Sequence, residues 1–333
     1  MHFAYNSPSP LLLGNSKGVH LSCENGVRQG DPLSSLLFSL GIKDLLESVS
    51  RTGSVAEYAF IDDLQIVGNP SEVMRAFNHL QSIIGRTGLT INHRKCTMIY
   101  FHQERYPLSE DITSSLQQMD IPVITNRTVI LGAVIGRSID EIRAGVRELV
   151  PNLKTDLFFA RLTNPNLGVQ TAMILLRLCG VPKMSYLLRV TPPEAMQELA
   201  TQFDLDALYI AHKLLGTEGY ADAHTPQVTE RLQAPLRHGG FGITSTSATS
   251  RPAYLASVAS AASSSVLHLY TSPDNPLPQH TMLHTQLTEC IDTIRANTPS
   301  CADLLPESAS NLFSHYEHNS AVPTCSLQST INK

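Results

Sequence analysis

Glu57-Tyr58-Ala59-Phe60-Ile61-Asp62-Asp63-Leu64-Gln65-Ile66-Val67 is the stretch on which the fold turns. Two short β-rich runs, 57–61 and 64–67, flank an acidic pair, the pattern of a β-hairpin that turns at Asp62-Asp63. Neighbouring carboxylates at a tight turn raise each other's pKa, so they are costly unless positive charge sits beside them. A divalent cation supplies that charge. Mg²⁺ takes oxygen ligands, commonly one or two carboxylates, and completes its shell with water and phosphate oxygens. Standing alone, Asp-Asp is also a dipeptide that a plain turn selects, and its surroundings decide.

Upstream, Asp31 can cap a helix and Pro32 has its φ preset for the first helical position. Leu33, Leu36, Leu37 and Leu40 then recur at helical spacing, which predicts a helix over about 32–50. As a cap, Asp31 is not a third metal ligand. Downstream, Ser71 is the expected cap of an amphipathic helix carrying Val73, Ala76, Phe77, Leu80, Ile83 and Ile84, closed by Gly85 and Gly88. Leu89-Thr90-Ile91 and Thr97 to Phe101 read as strands around an Asn92-His93-Arg94-Lys95 turn, and Val129 to Ile135 is a further β-rich run. The predicted class is α+β, an antiparallel sheet with packed helices, over residues 1–136. Residues 1–20 look loop-like. From 137 to 271 the pattern is helical, with breaks expected at Pro151, Pro165, Pro182 and Pro192-Pro193, so a separate helical domain is predicted. Residues 272–333 form a polar, partly disordered tail with one short helix near 280–296.

The chain of 333 residues exceeds the usual single-domain size of about 100–200 residues. With 42% apolar residues it can bury a real core, whereas 16% charged residues and a net charge of -5 exclude nucleic-acid binding by bulk positive charge. Such binding has to be local. Residues 137–190 are the basic part, with 8 Lys+Arg against 4 Asp+Glu. The six cysteines lack short spacing and no cationic apolar leader opens the chain, which reads as reduced thiols and an intracellular protein. No long uninterrupted apolar run is present, so no membrane partner is expected. His280, His284, Cys290 and Cys301 do not complete a zinc site.

Val27-Arg28-Gln29-Gly30-Asp31-Pro32-Leu33-Ser34-Ser35-Leu36-Leu37-Phe38 closely resembles the signature of non-LTR retrotransposon reverse transcriptases, in which this loop runs into a palm helix. Phe60-Ile61-Asp62-Asp63 stands where that family has an aromatic, a variable residue and two aspartates. Gly88-Leu89-Thr90-Ile91-Asn92 with Lys95 resembles the next element, and Leu131-Gly132-Ala133-Val134-Ile135 the primer-grip hairpin. The resemblance implies a polymerase palm followed by a helical thumb, and RNA-directed DNA polymerase activity by two-metal nucleotidyl transfer with Mg²⁺ or Mn²⁺. It makes Asp62 a ligand of both metals, with Asp63 assisting. Arg28, Gln29, Gly30 and Phe60 would line the pocket for template and incoming nucleotide, and Lys95 would sit near the triphosphate, though it also reads as a solvated turn lysine. The implied partners are an RNA template, a DNA primer and deoxynucleotide triphosphates. Arg177-Leu178-Cys179-Gly180-Val181-Pro182-Lys183 to Arg189 and Pro235-Leu236-Arg237-His238-Gly239-Gly240-Phe241-Gly242 resemble segments that follow the palm in related elements. Arg177, Lys183 and Arg189 would then contact nucleic-acid phosphates, or serve equally as solvated ends of packed helices.

One departure stands out. The family has a third catalytic aspartate on a palm strand before the Arg28 loop, and residues 1–30 contain no aspartate. The chain therefore reads as an amino-terminally truncated reverse transcriptase, inactive alone, with an open palm edge that a partner chain could cover. The alternative is a non-catalytic retroelement remnant that at most binds nucleic acid or protein.

Overall fold

Helix formation after the Arg28 loop begins at a turn that the side chain of Asp31 organises. In the computed structural model, which describes residues 9–12, 20–23, 26–219, 225–262 and 281–312, Asp31 Oδ1 accepts the Leu33 N–H at 2.9 Å. Helix α1 follows over Ser34–Ser50. Ahead of it, β1 (Ser9–Leu12) and β2 (His20–Cys23) pair antiparallel, so the expected loop over 1–20 is corrected at 9–12 and at 20. Pro10 does not prevent this, because an edge strand tolerates a residue that cannot donate. The rest of that expectation, and the polar tail over 272–280 and 313–333, lie outside the described residues.

The chain divides into two compact units, Met1–Ile124 and Thr125–Lys333. In the first, β3 (Val55–Phe60) and β4 (Asp63–Gly68) form an antiparallel hairpin in register from Val55↔Gly68 to Phe60↔Asp63. Its inner residues Val55, Leu64 and Ile66 pack on Val49 of α1 and on Ala76 and Leu80 of α2 (Pro70–Ile84). The apolar stripe of α1 is therefore not the one the spacing suggests. Leu45 and Val49 face the core, whereas Leu33, Leu36 and Leu40 are more than half exposed, at 53, 56 and 54%. The cap of α2 is also corrected: Asn69 Oδ1 accepts the Ser71 N–H at 3.4 Å, two residues before the expected Ser71 cap, with Pro70 in the first turn.

No hairpin joins 89–91 to 97–101. Instead His93–Lys95 is a 3₁₀ turn, and β5 (Met98–Ile99) pairs parallel with β6 (Val123–Ile124) after helix α3 (Glu110–Gln118). Instead of the one antiparallel sheet expected, the described strands form separate two-stranded pairs, of which this one is parallel. Met98 and Cys96 pack with Leu116 and Ile121, and this burial, together with the 2.7 Å contact between Gln81 Nε2 and His93 Nε2, outweighs the local pairing tendency.

The second unit opens with the hairpin β7 (Arg127–Ile130) and β8 (Ala133–Gly136). Leu131 and Gly132 turn it with φ of +50 and +79°, both positive, as a type I′ turn requires. Helices α4 (Ile139–Leu149) and α5 (Thr155–Leu162) follow. A helical stretch over 169–190 comprises α6 (Val169–Leu175), a π turn, a 3₁₀ turn and α7 (Ser185–Val190). Pro182 does not break it, contrary to expectation. The widened turn Leu176–Gly180 precedes the proline, and bulges of this kind accommodate a residue with no N–H and a bulky ring. By length and composition this stretch could cross a membrane, but Leu176, Met184, Leu187 and Leu188 lie in the unit's core, as in a packed core helix.

Helix α8 (Pro193–Leu215) runs through that core, and α9 (Pro226–Gln233), α10 (Thr246–Ala262) and α11 (Met282–Asn297) complete the described part. Asp204 of α8 locks α10 in place. Its Oδ1 accepts the Thr246 N–H and hydroxyl, each at 2.7 Å, and its Oδ2 accepts the Ser247 N–H at 3.0 Å. The carboxylate thus meets the donors that open α10, where the helix dipole favours negative charge. A second cluster, with Tyr254 and Leu255 packed on Leu287, Ile291 and Leu312, holds α11.

Candidate functional site

Strand alternation sets the site. With Leu64 and Ile66 turned to the helices, Tyr58, Phe60, Asp63 and Gln65 occupy the opposite face of the β3–β4 hairpin, where Tyr58 pairs with Gln65 and Phe60 with Asp63. Ile61 and Asp62 form the two-residue turn. Ile61 has φ +56°, a left-handed conformation that a β-branched residue adopts at a cost of about 1–3 kcal/mol. Local backbone strain of this kind clusters at functional sites. Here it projects two consecutive carboxylates at the hairpin tip.

Asp62 and Asp63 are exposed, and Phe60 beside them is 62% exposed. The tip is therefore open to solvent and not sealed in an apolar interior. Two adjacent hard oxygen donors suit Mg²⁺ or Mn²⁺ with water and phosphate oxygens as the other ligands. Among the described residues no group of three or more Asp, Glu, His or Cys converges to hold an ion.

The other residues singled out in the first unit sit on separate elements. Arg28 is half-buried in the turn that leads into α1, where its carbonyl accepts the Asp31 N–H at 3.2 Å and the Ser34 hydroxyl. Gln29 and Gly30 are exposed, and Gly30 holds φ +86°, which explains a glycine there. Lys95 is exposed at the end of the 93–95 turn.

The three cations of the 169–190 stretch have different environments. Lys183 points inward: its Nζ donates to the Leu153 carbonyl at 2.8 Å and lies 5.3 Å from the centre of the Phe158 ring. Arg189 is exposed. Arg177 is half-buried with its side chain against Gly242, so a residue of that stretch meets the 235–242 loop. Sequence reasoning missed the Asp204 lock and the hydrogen bond from the Tyr186 hydroxyl to the Leu131 carbonyl. Neither pair has a local signal, since both join residues far apart in the chain.

Residues 3–133 match the family model described as reverse transcriptase (RNA-dependent DNA polymerase). Over 219 residues, 66% of this chain, the sequence is 24% identical to the 132 kDa protein of the retrotransposable element SLACS from Trypanosoma brucei gambiense. The matched region spans 17% of that protein's length.

Proposed function

Residues 3–133 carry a reverse transcriptase domain of the non-LTR retrotransposon kind, and on that premise we propose that the Ile61-Asp62 tip is the metal-binding end of an RNA-directed DNA polymerase palm. Asp62 and Asp63 are the oxygen ligands for Mg²⁺ or Mn²⁺. When bound, such ions offset phosphate charge and favour in-line nucleotidyl transfer. Gln29 and Gly30, with Arg28 and Phe60, line the pocket for the templating base and incoming deoxynucleotide. Lys95 supplies positive charge or a proton toward the departing pyrophosphate. The partners in this reading are an RNA template and a DNA primer.

The observation that carries the reading is the pair of exposed neighbouring carboxylates on a strained hairpin tip, inside the segment that the family model matches. A lone aspartate pair on a relaxed surface turn would support nothing of the kind.

A second reading, a non-catalytic module that binds nucleic acid, rests on the sequence: residues 1–30, where the resemblance would put a third aspartate, contain none. Losing one ligand from a two-metal site removes charge that balances the ions, and the rate cost is orders of magnitude. The 333-residue chain alone is accordingly expected to give no detectable primer extension. The test is oligonucleotide-primed extension on an RNA template with Mg²⁺ or Mn²⁺, beside Asp62→Ala. Robust synthesis lost in that variant establishes the polymerase in this chain and overturns the expectation of inactivity.

A further inference from the structure

We infer that the Pro235–Gly242 loop is a binding site for single-stranded nucleic acid, with Arg177, Arg231 and Arg237 on phosphates and Phe241 beneath a base. The loop is built stiff. Gly242 N–H donates to Ala234 O at 2.9 Å, Ile243 N–H to Leu232 O at 3.0 Å, and Phe241 N–H to Arg231 O at 3.2 Å, which closes the segment back onto the end of α9. A Cβ on Gly240 would lie 2.1 Å from the Ala234 carbonyl oxygen, so the backbone approaches itself too closely there for any other residue.

Onto this frame the fold brings cations from three places. Arg237 belongs to the loop, Arg231 of α9 lies against Gly239, and Arg177 of the π turn lies against Gly242. Among the described residues none of the three has a carboxylate within salt-bridge distance. Some arginines elsewhere in the same unit do: Arg127 meets Glu141 and Glu148, Arg143 meets Asp140, and Arg147 meets Glu198. Residues 225–245 contain a single acid, Glu230. Three arginines brought from separate elements to one loop, without an acid partner, make a surface suited to an anion that arrives from outside.

The aromatic neighbour narrows the anion to a nucleic-acid strand. Phe241 is 37% exposed and, with Arg231, lines a cleft of about 390 Å³ whose floor is His212, Leu215, Val228 and Leu232. A positively charged groove beside an aromatic face is what single strands use: phosphates track the charge and a base stacks on the ring. A duplex hides its base faces and an acidic lipid has none. The surface holds on its own observations, uses neither Asp62 nor Asp63, and stands or falls separately from the metal-binding reading.

The test is fluorescence anisotropy of fluorescein-labelled oligouridylate with the full chain in EDTA, across a NaCl series. In Arg231→Gln/Arg237→Gln the affinity is expected to fall at least tenfold at low salt, and the log–log salt slope to fall by roughly 0.7 per charge removed. Phe241→Leu is expected to weaken single-strand binding and leave the slope unchanged. Arg147→Gln, whose charge is already paired with Glu198, should bind like the parent. Equal affinity and slope in the parent and in Arg231→Gln/Arg237→Gln, with matching thermal melts, overturns the inference. So does binding to phosphatidylserine vesicles without binding to the oligonucleotide.

Discussion

Tyr186 of α7 donates its hydroxyl to the carbonyl of Leu131, the first turn residue of the β7–β8 hairpin, and its ring packs over Gly132. Leu131 holds φ +50°, so this contact braces a backbone conformation that L-residues with side chains adopt at a cost of about 1–2 kcal/mol. Tyr186→Phe is expected to destabilise the protein by about 0.5–1.5 kcal/mol, at the lower end because both residues are about half exposed and water can replace the hydroxyl. Urea unfolding measures the loss. Faster amide exchange at Gly132 in the variant would show that the effect is local to the hairpin.

Asp204 should be far less tolerant. It is 9% exposed and surrounded by donors from Ser245, Thr246 and Ser247. Asp204→Ala leaves those buried donors unsatisfied and should cost about 3 kcal/mol or more, read as a fall in Tm. Asp204→Asn is not a rescue. Its amide nitrogen would face donors where Oδ2 now accepts, so a loss of about 1–3 kcal/mol is expected there too. A variant as stable as the parent would show that the α8–α10 lock is not what holds these helices together.

A pH effect follows from Cys290. Burial pushes its thiol up from about 9 to about 12, with Arg251 pulling it down and Glu289 raising it further, and burial raises the nearby Tyr254 phenol as well. For a group whose folded pKa lies above its unfolded one, the stabilisation is complete below the unfolded value and is lost as pH rises toward the folded value. Stability should therefore decline between about pH 9 and pH 12. Cys290→Ala should flatten that decline in Tm-against-pH curves. At pH 8, iodoacetamide should label the exposed Cys179 and spare the buried Cys290 until denaturant is added.

Gly240→Ala tests the loop frame. The added methyl would fall 2.1 Å from the Ala234 oxygen, so the turn has to open, at a cost of about 1–3 kcal/mol, and oligonucleotide affinity should fall with it. An unchanged Tm and an unchanged affinity would mean that the loop is looser than its hydrogen bonds indicate.

How much of this is legible in the sequence depends on the range of each interaction. The β3–β4 hairpin, α1 and α2 follow from spacing and turn residues within a few positions, and their ends were recoverable to within a residue or two. Positions 89–101 have the local pattern of a hairpin, but the partner of Met98 is Val123, beyond an intervening helix, and local propensity carries no information about it. The exposed stripe Leu33, Leu36 and Leu40 has the same cause: periodicity gives a face of the helix, not which face the hairpin covers. Pro182 misled because a π turn upstream accommodates it. The acids of the hairpin tip could be read from their motif. Arg231 and Arg237 could not be joined to Arg177 before folding, since that grouping depends on Gly239 and Gly242 meeting side chains from two other elements.

The claim on which the functional account rests is that Asp62 and Asp63 hold divalent cations. Mn²⁺ binding to the full chain, followed by the EPR signal of free Mn²⁺ with and without a deoxynucleotide triphosphate, tests it without requiring turnover. The prediction is a protein-bound fraction that grows with the nucleotide and is lost in Asp62→Asn/Asp63→Asn, whose fold is unchanged because both positions are exposed. The same bound fraction in the parent and in that double variant would contradict it.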